Sequence, residues 1–79
     1  MGAPDESRGL AKRSLTLAGH RTSVALEAEF WDALEAMAAR EGTTLAALLA
    51  RIDAGRGERP LASALRVAAL HAGQRGGLA

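Results

Sequence analysis

Two short stretches near the front of the chain alternate polar and apolar residues. They are Arg13-Ser14-Leu15-Thr16-Leu17 and Arg21-Thr22-Ser23-Val24-Ala25-Leu26. A period of two is the mark of a β-strand with one wet face. In the second stretch, parity turns Thr22, Val24 and Leu26 inward and Arg21, Ser23 and Ala25 outward. Ala18-Gly19-His20 interrupts between the two, and Gly19 permits a turn or a bulge. The pattern leaves open whether the first stretch folds back on the second or extends an N-terminal arm.

From Glu27 the period becomes that of a helix. Phe30, Leu34, Met37 and Ala38 share one stripe, with Trp31 at its margin, and Glu27 and Glu29 suit the positive end of the helix dipole. Gly42 supplies a left-handed helix end, and Thr43-Thr44 offers a hydroxyl cap for the next helix. Leu45, Leu48, Leu49 and Ile52 form a second stripe at i, i+3, i+4 and i+7. The run from Gly55 to Arg59 breaks the pattern, and Pro60 is placed to start a third helix. That helix has Leu61, Ala64, Leu65, Ala68 and Ala72 on its apolar side, broadened by Val67 and Leu70. Residues 1–11 lack any hydrophobic period and read as a disordered arm, 12–72 as the folded unit, and 73–79, with three glycines, as a flexible tail.

Length sharpens this order. The chain has 79 residues, and a domain of this size buries only ~60% of its unfolded surface, so its own core supplies roughly 3–5 kcal/mol. Cysteine is absent, which excludes disulfides and thiolate zinc sites, and His20 and His71 are the only imidazoles. Neither stands with a carboxylate at ligand spacing, so no metal and no cofactor are expected. Self-association is the remaining source of stability. A lone strand also needs a partner for its backbone groups, and a second copy paired antiparallel about a two-fold axis would provide one.

Net charge is +1, but it is segregated. Residues 1–26 carry Arg8, Lys12, Arg13 and Arg21 against Asp5 and Glu6. Residues 27–41 carry Glu27, Glu29, Asp32, Glu35 and Glu41 against Arg40. Residues 42–79 carry five arginines against Asp53 and Glu58. A basic front, an acidic middle and a basic rear can put opposite potentials on different faces. The first dozen residues hold no apolar run, and no membrane span or signal peptide is expected. The protein is accordingly read as cytoplasmic, and its Ala/Gly/Arg-rich composition as bacterial. With no cysteine or tyrosine nucleophile and no glycine-rich phosphate loop, there is nothing to read as a catalytic site, and no enzyme activity is expected.

The set Arg21-Thr22-Ser23-Val24-Ala25-Leu26-Glu27, Phe30-Trp31-Asp32-Ala33-Leu34 and Glu41-Gly42-Thr43-Thr44-Leu45 resembles the ribbon-helix-helix DNA-binding domain of bacterial and phage repressors. Gly19-His20 before it and Leu61 to Val67 after it resemble a short, mostly uncharacterised bacterial subgroup of that family. The resemblance covers roughly residues 13–71. It implies a mainly α fold with one short β region, as an intertwined homodimer with an intermolecular antiparallel ribbon plus a third helix. It implies double-stranded DNA as partner, with higher-order assembly on DNA open, and a nucleoid-associated repressor as function. Base contacts would fall to Arg21, Ser23 and Ala25. Phosphate contacts would fall to Thr43 and Thr44 at a helix N-terminus, with Lys12, Arg13 and His20 beside the strand. The dimer core would comprise Val24, Leu26, Phe30, Trp31, Leu34, Met37, Leu45, Leu48, Leu49 and Ile52. Ala25 is apolar where readers are often polar, and Ala46 stands where many members have a hydroxyl. Three rival readings keep the same helices: a protein-interaction module that never touches DNA, an antitoxin, and a helix-turn-helix with the second helix in the groove.

Overall fold

The computed structural model describes residues 9–73. Most of the segment read as an arm and all but the first residue of the tail lie outside the described residues. Strands β1 (Ala11–Leu17) and β2 (His20–Leu26) are followed by helices α1 (Ala28–Glu41), α2 (Leu45–Ala54) and α3 (Leu61–Ala72). The chain is mainly helical with one small β region and a third helix, as the resemblance implies, and that β region holds two strands. No helix among the described residues is long and apolar enough to cross a membrane.

The ribbon differs from expectation in one respect. β2 is not left without a partner in its own chain, because β1 folds back on it as an antiparallel neighbour, in register from Ala11 opposite Leu26 to Leu17 opposite His20. The cause is a two-residue connection. Ala18 (φ 52°) and Gly19 (φ 82°) both lie in the left-handed region. Positive φ at both central residues is the signature of the type I′ turn, whose twist matches that of paired strands. The first alternating stretch is thus the hairpin partner, and it begins at Ala11, one residue inside the segment read as arm.

Inward from the hairpin lies a core that one chain builds alone. Leu17, Val24, Leu26, Trp31, Leu34, Met37, Ala38, Leu48, Leu49, Leu65, Ala69 and Ala72 form it, and among the described residues no polar or charged one is buried. Of the residues assigned to a shared dimer core, Val24, Leu26, Trp31, Leu34, Met37, Leu48 and Leu49 are therefore already buried within one chain, while Phe30, Leu45 and Ile52 pack at its edge. The third helix makes this possible: α3 packs on α1, α2 and β2, and α2 packs on β1.

The first helix also turns slightly from its predicted stripe. Trp31 is 1% exposed and central, whereas Phe30 is only partly buried. The reason is polar as well as apolar, since the indole Nε1 donates to the Ala11 carbonyl at 2.7 Å. A buried tryptophan needs such an acceptor, and the end of β1 supplies it. In α3, Ala69 takes the buried position predicted for Ala68, and Leu70 is 56% exposed.

The helix ends follow their sequence signals. Gly42 (φ 70°) terminates α1, its N–H and that of Thr43 donating to the Ala39 and Ala38 carbonyls at 3.1 and 2.9 Å. Thr44 caps α2, its Oγ1 accepting from the Ala47 N–H at 3.0 Å. Glu27 lies at the N-cap of α1 without a side-chain cap and instead accepts from Arg66 of α3 at 3.0 Å, while the Arg66 guanidinium sits 5.7 Å from the Phe30 ring. This clip joins the start of α1 to α3. The Arg66 hydrogen bond, helped by the Glu27 backbone N–H and the arginine charge, holds the Glu27 carboxyl below its ordinary pKa.

Candidate nucleic-acid interface

Because side chains alternate across a strand, the inward packing of Leu15, Leu17, Val24 and Leu26 forces the intervening residues outward. The register then creates three cross-strand pairs on the outer face: Lys12 opposite Ala25, Ser14 opposite Ser23, and Thr16 opposite Arg21. All are exposed except Ala25, which is half-buried. Two of the pairs are bonded across the ribbon. The Ser14 and Ser23 hydroxyls lie 3.2 Å apart, and Arg21 Nη1 donates to Thr16 Oγ1 at 3.2 Å. Two cations sit at opposite ends of this face, and none of its six residues is acidic.

Arg13, grouped by sequence with Lys12 as a phosphate contact, points to the other side. Its Nη1 donates to Glu35 Oε2 at 2.8 Å, and its guanidinium lies 4.7 Å from the centre of the Trp31 ring. These contacts pin the hairpin to α1. Lys12 and Arg13 are neighbours in sequence and lie on opposite faces of the ribbon. His20 is exposed at the turn, opposite Leu17 and next to Arg21.

Thr43 and Thr44 lie at the start of α2, away from the hairpin in sequence. Thr44 is exposed and occupied as a cap, and Thr43 is half-buried. The first i→i−4 bond of α2 runs from Leu48 to Thr44, so the N–H groups of Leu45 and Ala46 precede it and can meet an anion. The rest of the α2 surface offers little to a base edge. Ala46, Ala47 and Ala54 are exposed, and Arg51 is tied to Glu41 at 2.7 Å. Beside it a groove of about 320 Å³ runs between α2 and α3, lined by Arg51, Arg56, Arg59 and His71 over Ile52 and Val67. Its arginines are also engaged: Arg56 with Asp53 at 2.6 Å and the Arg59 carbonyl at 2.7 Å, and Arg59 with Ser63 at 3.4 Å.

Ser14 and Thr16 complete this outer face and are not among the candidate residues singled out from the sequence. The signal was present, because Leu15 and Leu17 fix the parity of the first stretch, which sends Ser14 and Thr16 outward and Arg13 inward.

A chain with this ribbon, these helices and this order belongs to the ribbon-helix-helix family, whose domain model matches residues 10–72. Members of that family are typically DNA-binding regulators or antitoxins, and typically bind DNA as dimers. Among solved structures, the chain is similar to an uncharacterized protein from Bordetella pertussis Tohama I, with 41% identity and a TM-score of 0.72. The match covers 92% of this chain and 64% of that one, so the chain spans slightly less than two thirds of that protein's length. No curated protein matches the chain.

Proposed function

We propose that this chain is a homodimeric, sequence-specific DNA-binding transcriptional regulator that inserts its β-ribbon into the major groove and represses by occupying its operator. The observation that carries the reading is the outer hairpin face, an exposed set of hydroxyls and two cations with no carboxylate. A two-stranded ribbon fits the ~12 Å major groove, where arginine can bond guanine O6 and N7 and serine can pair with several bases. Arg21 and Ser23 are the base readers, and Ala25 offers a methyl contact to thymine. Lys12 and His20 meet the sugar-phosphate backbone, as do the first amides of α2 beside Thr43 and Thr44. Arg13 supports the ribbon from behind through Glu35 and Trp31.

Two protomers bring two hairpins to two half-sites, so the preferred duplex is a palindrome. Such a regulator works in the cytoplasm, on the nucleoid. Light scattering at micromolar concentration tests the dimer, which a folded monomer would contradict. Gel shifts with wild type and Arg21→Ala test the readout. Loss of one preferred site is expected, and unchanged site preference would move recognition off the strands. If the wild type binds no duplex at all, the chain works as a protein-interaction module.

A further inference from the structure

We propose that the groove between α2 and α3 is a binding site for a small organic monocarboxylate with an aliphatic or aromatic body. It uses a surface that the DNA-binding reading leaves aside, and it holds whether or not the chain binds DNA.

The make-up of the groove is the first support. Its floor is apolar: Ile52 and Val67 are only half-buried by their own chain and keep hydrocarbon surface open there. Its rim is cationic, with Arg51, Arg56, Arg59 and His71, and no carboxylate is among the residues that line it. At about 320 Å³ the space lies at the lower end of the ~300–1,000 Å³ range of small-molecule sites, which are mostly apolar with a few placed polar groups.

Charge selects the ligand. Arg51 is paired with Glu41 and Arg56 with Asp53, so two of the three guanidiniums are already neutralised. Arg59 is bonded to the neutral Ser63 hydroxyl at 3.4 Å, and no carboxylate among the described residues pairs with it. One uncompensated positive charge beside an apolar floor matches a monoanion with an apolar body. A guanidinium presents its N–H donors in a fork that suits a carboxylate, and the single bond to Ser63 leaves Arg59 enough of them to hold both oxygens.

The third support is that the loop carrying Arg59 is fixed. Arg56 Nη1 donates to the Arg59 carbonyl at 2.7 Å, and the Arg59 N–H donates back to the Arg56 carbonyl at 3.1 Å. Gly57, at φ 63°, supplies the left-handed step between them. Asp53, in the last turn of α2, accepts from Arg56 Nε at 2.6 Å and ties the loop to that helix. A rim set in place before binding loses less freedom when the ligand arrives.

The test follows the backbone amides of the isotope-labelled full chain by NMR during titration with octanoate, acetate and octylammonium. Octanoate should give saturable shifts at Ile52, Gly55, Arg59, Val67 and His71. Acetate, which lacks the body, and octylammonium, which reverses the charge, should each bind at least about tenfold more weakly. Arg59→Gln should weaken octanoate by roughly tenfold or more, whereas Arg40→Gln, at an exposed cation outside the groove, should bind as wild type does. Arg59 is exposed, so its variant should melt at the wild-type temperature. Unchanged octanoate affinity in Arg59→Gln would overturn the proposal, as would octylammonium shifting the same amides equally well. Shifts centred elsewhere, or no saturable shifts in wild type, would overturn it too. None of these outcomes bears on the DNA-binding reading, which stands or falls on duplex binding.

Discussion

The two faces of the hairpin are made by the same fourteen strand residues and have opposite chemistry. Inward, Leu17, Val24 and Leu26 are buried, and Arg13 is held by Glu35 and Trp31. Outward, Ser14 and Ser23 bond each other across the ribbon, as do Arg21 and Thr16. Alternation lets one short element anchor the fold and present a ligand surface without either task constraining the other. Neighbouring residues should therefore fail differently: odd positions of β1 through stability, even positions through binding.

The largest effect should come from the inward side. Trp31→Ala removes the central aromatic and the bond to the Ala11 carbonyl, at a cost of about 3–5 kcal/mol, enough to leave most of a domain this small unfolded in urea titrations. Ser23→Ala, on the opposite face, should change stability by no more than about 0.5 kcal/mol. A large loss at Ser23 would erase the distinction between faces.

Next comes binding. Arg21→Ala should leave the melt unchanged and lower affinity for the preferred duplex by roughly tenfold to a hundredfold. Lys12→Ala should weaken all duplexes alike and reduce the salt slope by about one.

Smaller is the turn. Ala18 sits at φ 52°, a conformation that costs a residue with a Cβ roughly 1–2 kcal/mol. Ala18→Asn should stabilise the hairpin by about 0.5 kcal/mol, read as a higher melting temperature.

Arg13 sharpens the contrast with Lys12. Its ion pair is partly exposed, so Arg13→Ala should cost only about 1 kcal/mol, including the contact with Trp31, and should leave the salt slope unchanged.

The smallest effect concerns acid. Glu27 has a pKa lowered in the fold, so its contribution is present above the unfolded carboxylate range and is lost as pH falls through the folded value. Glu27→Gln should therefore lower stability slightly at neutral pH, change nothing in strong acid, and so reduce the steepness of the acid-side loss, read from melting temperatures across pH.

Much of this molecule was readable from its sequence. The three helices, the left-handed Gly42, the Thr44 cap and the outward parity of Arg21 and Ser23 follow from period and turn chemistry, both local properties. What escaped depended on contacts. Alanine is an unusual occupant of a left-handed turn position, so Ala18-Gly19 does not announce a two-residue hairpin, and the pattern leaves the pairing of β1 open. Phe30 and Trp31 are adjacent on the same helix, and periodicity cannot choose between them. An acceptor on β1 chooses Trp31. The burial of the supposed dimer core within one chain depends on α3, whose alanine-rich face carries a weak hydrophobic signal yet lets the helices approach closely.

The central claim is that the outer face of the hairpin meets DNA. Titrating the isotope-labelled full chain with its selected duplex, and following each backbone amide by NMR, addresses it most directly. The largest shifts should fall between Lys12 and Ala25, with a second group at Thr43–Ala46. Shifts centred on residues 47–56 would instead assign recognition to α2 and rule out the hairpin as the DNA-binding face.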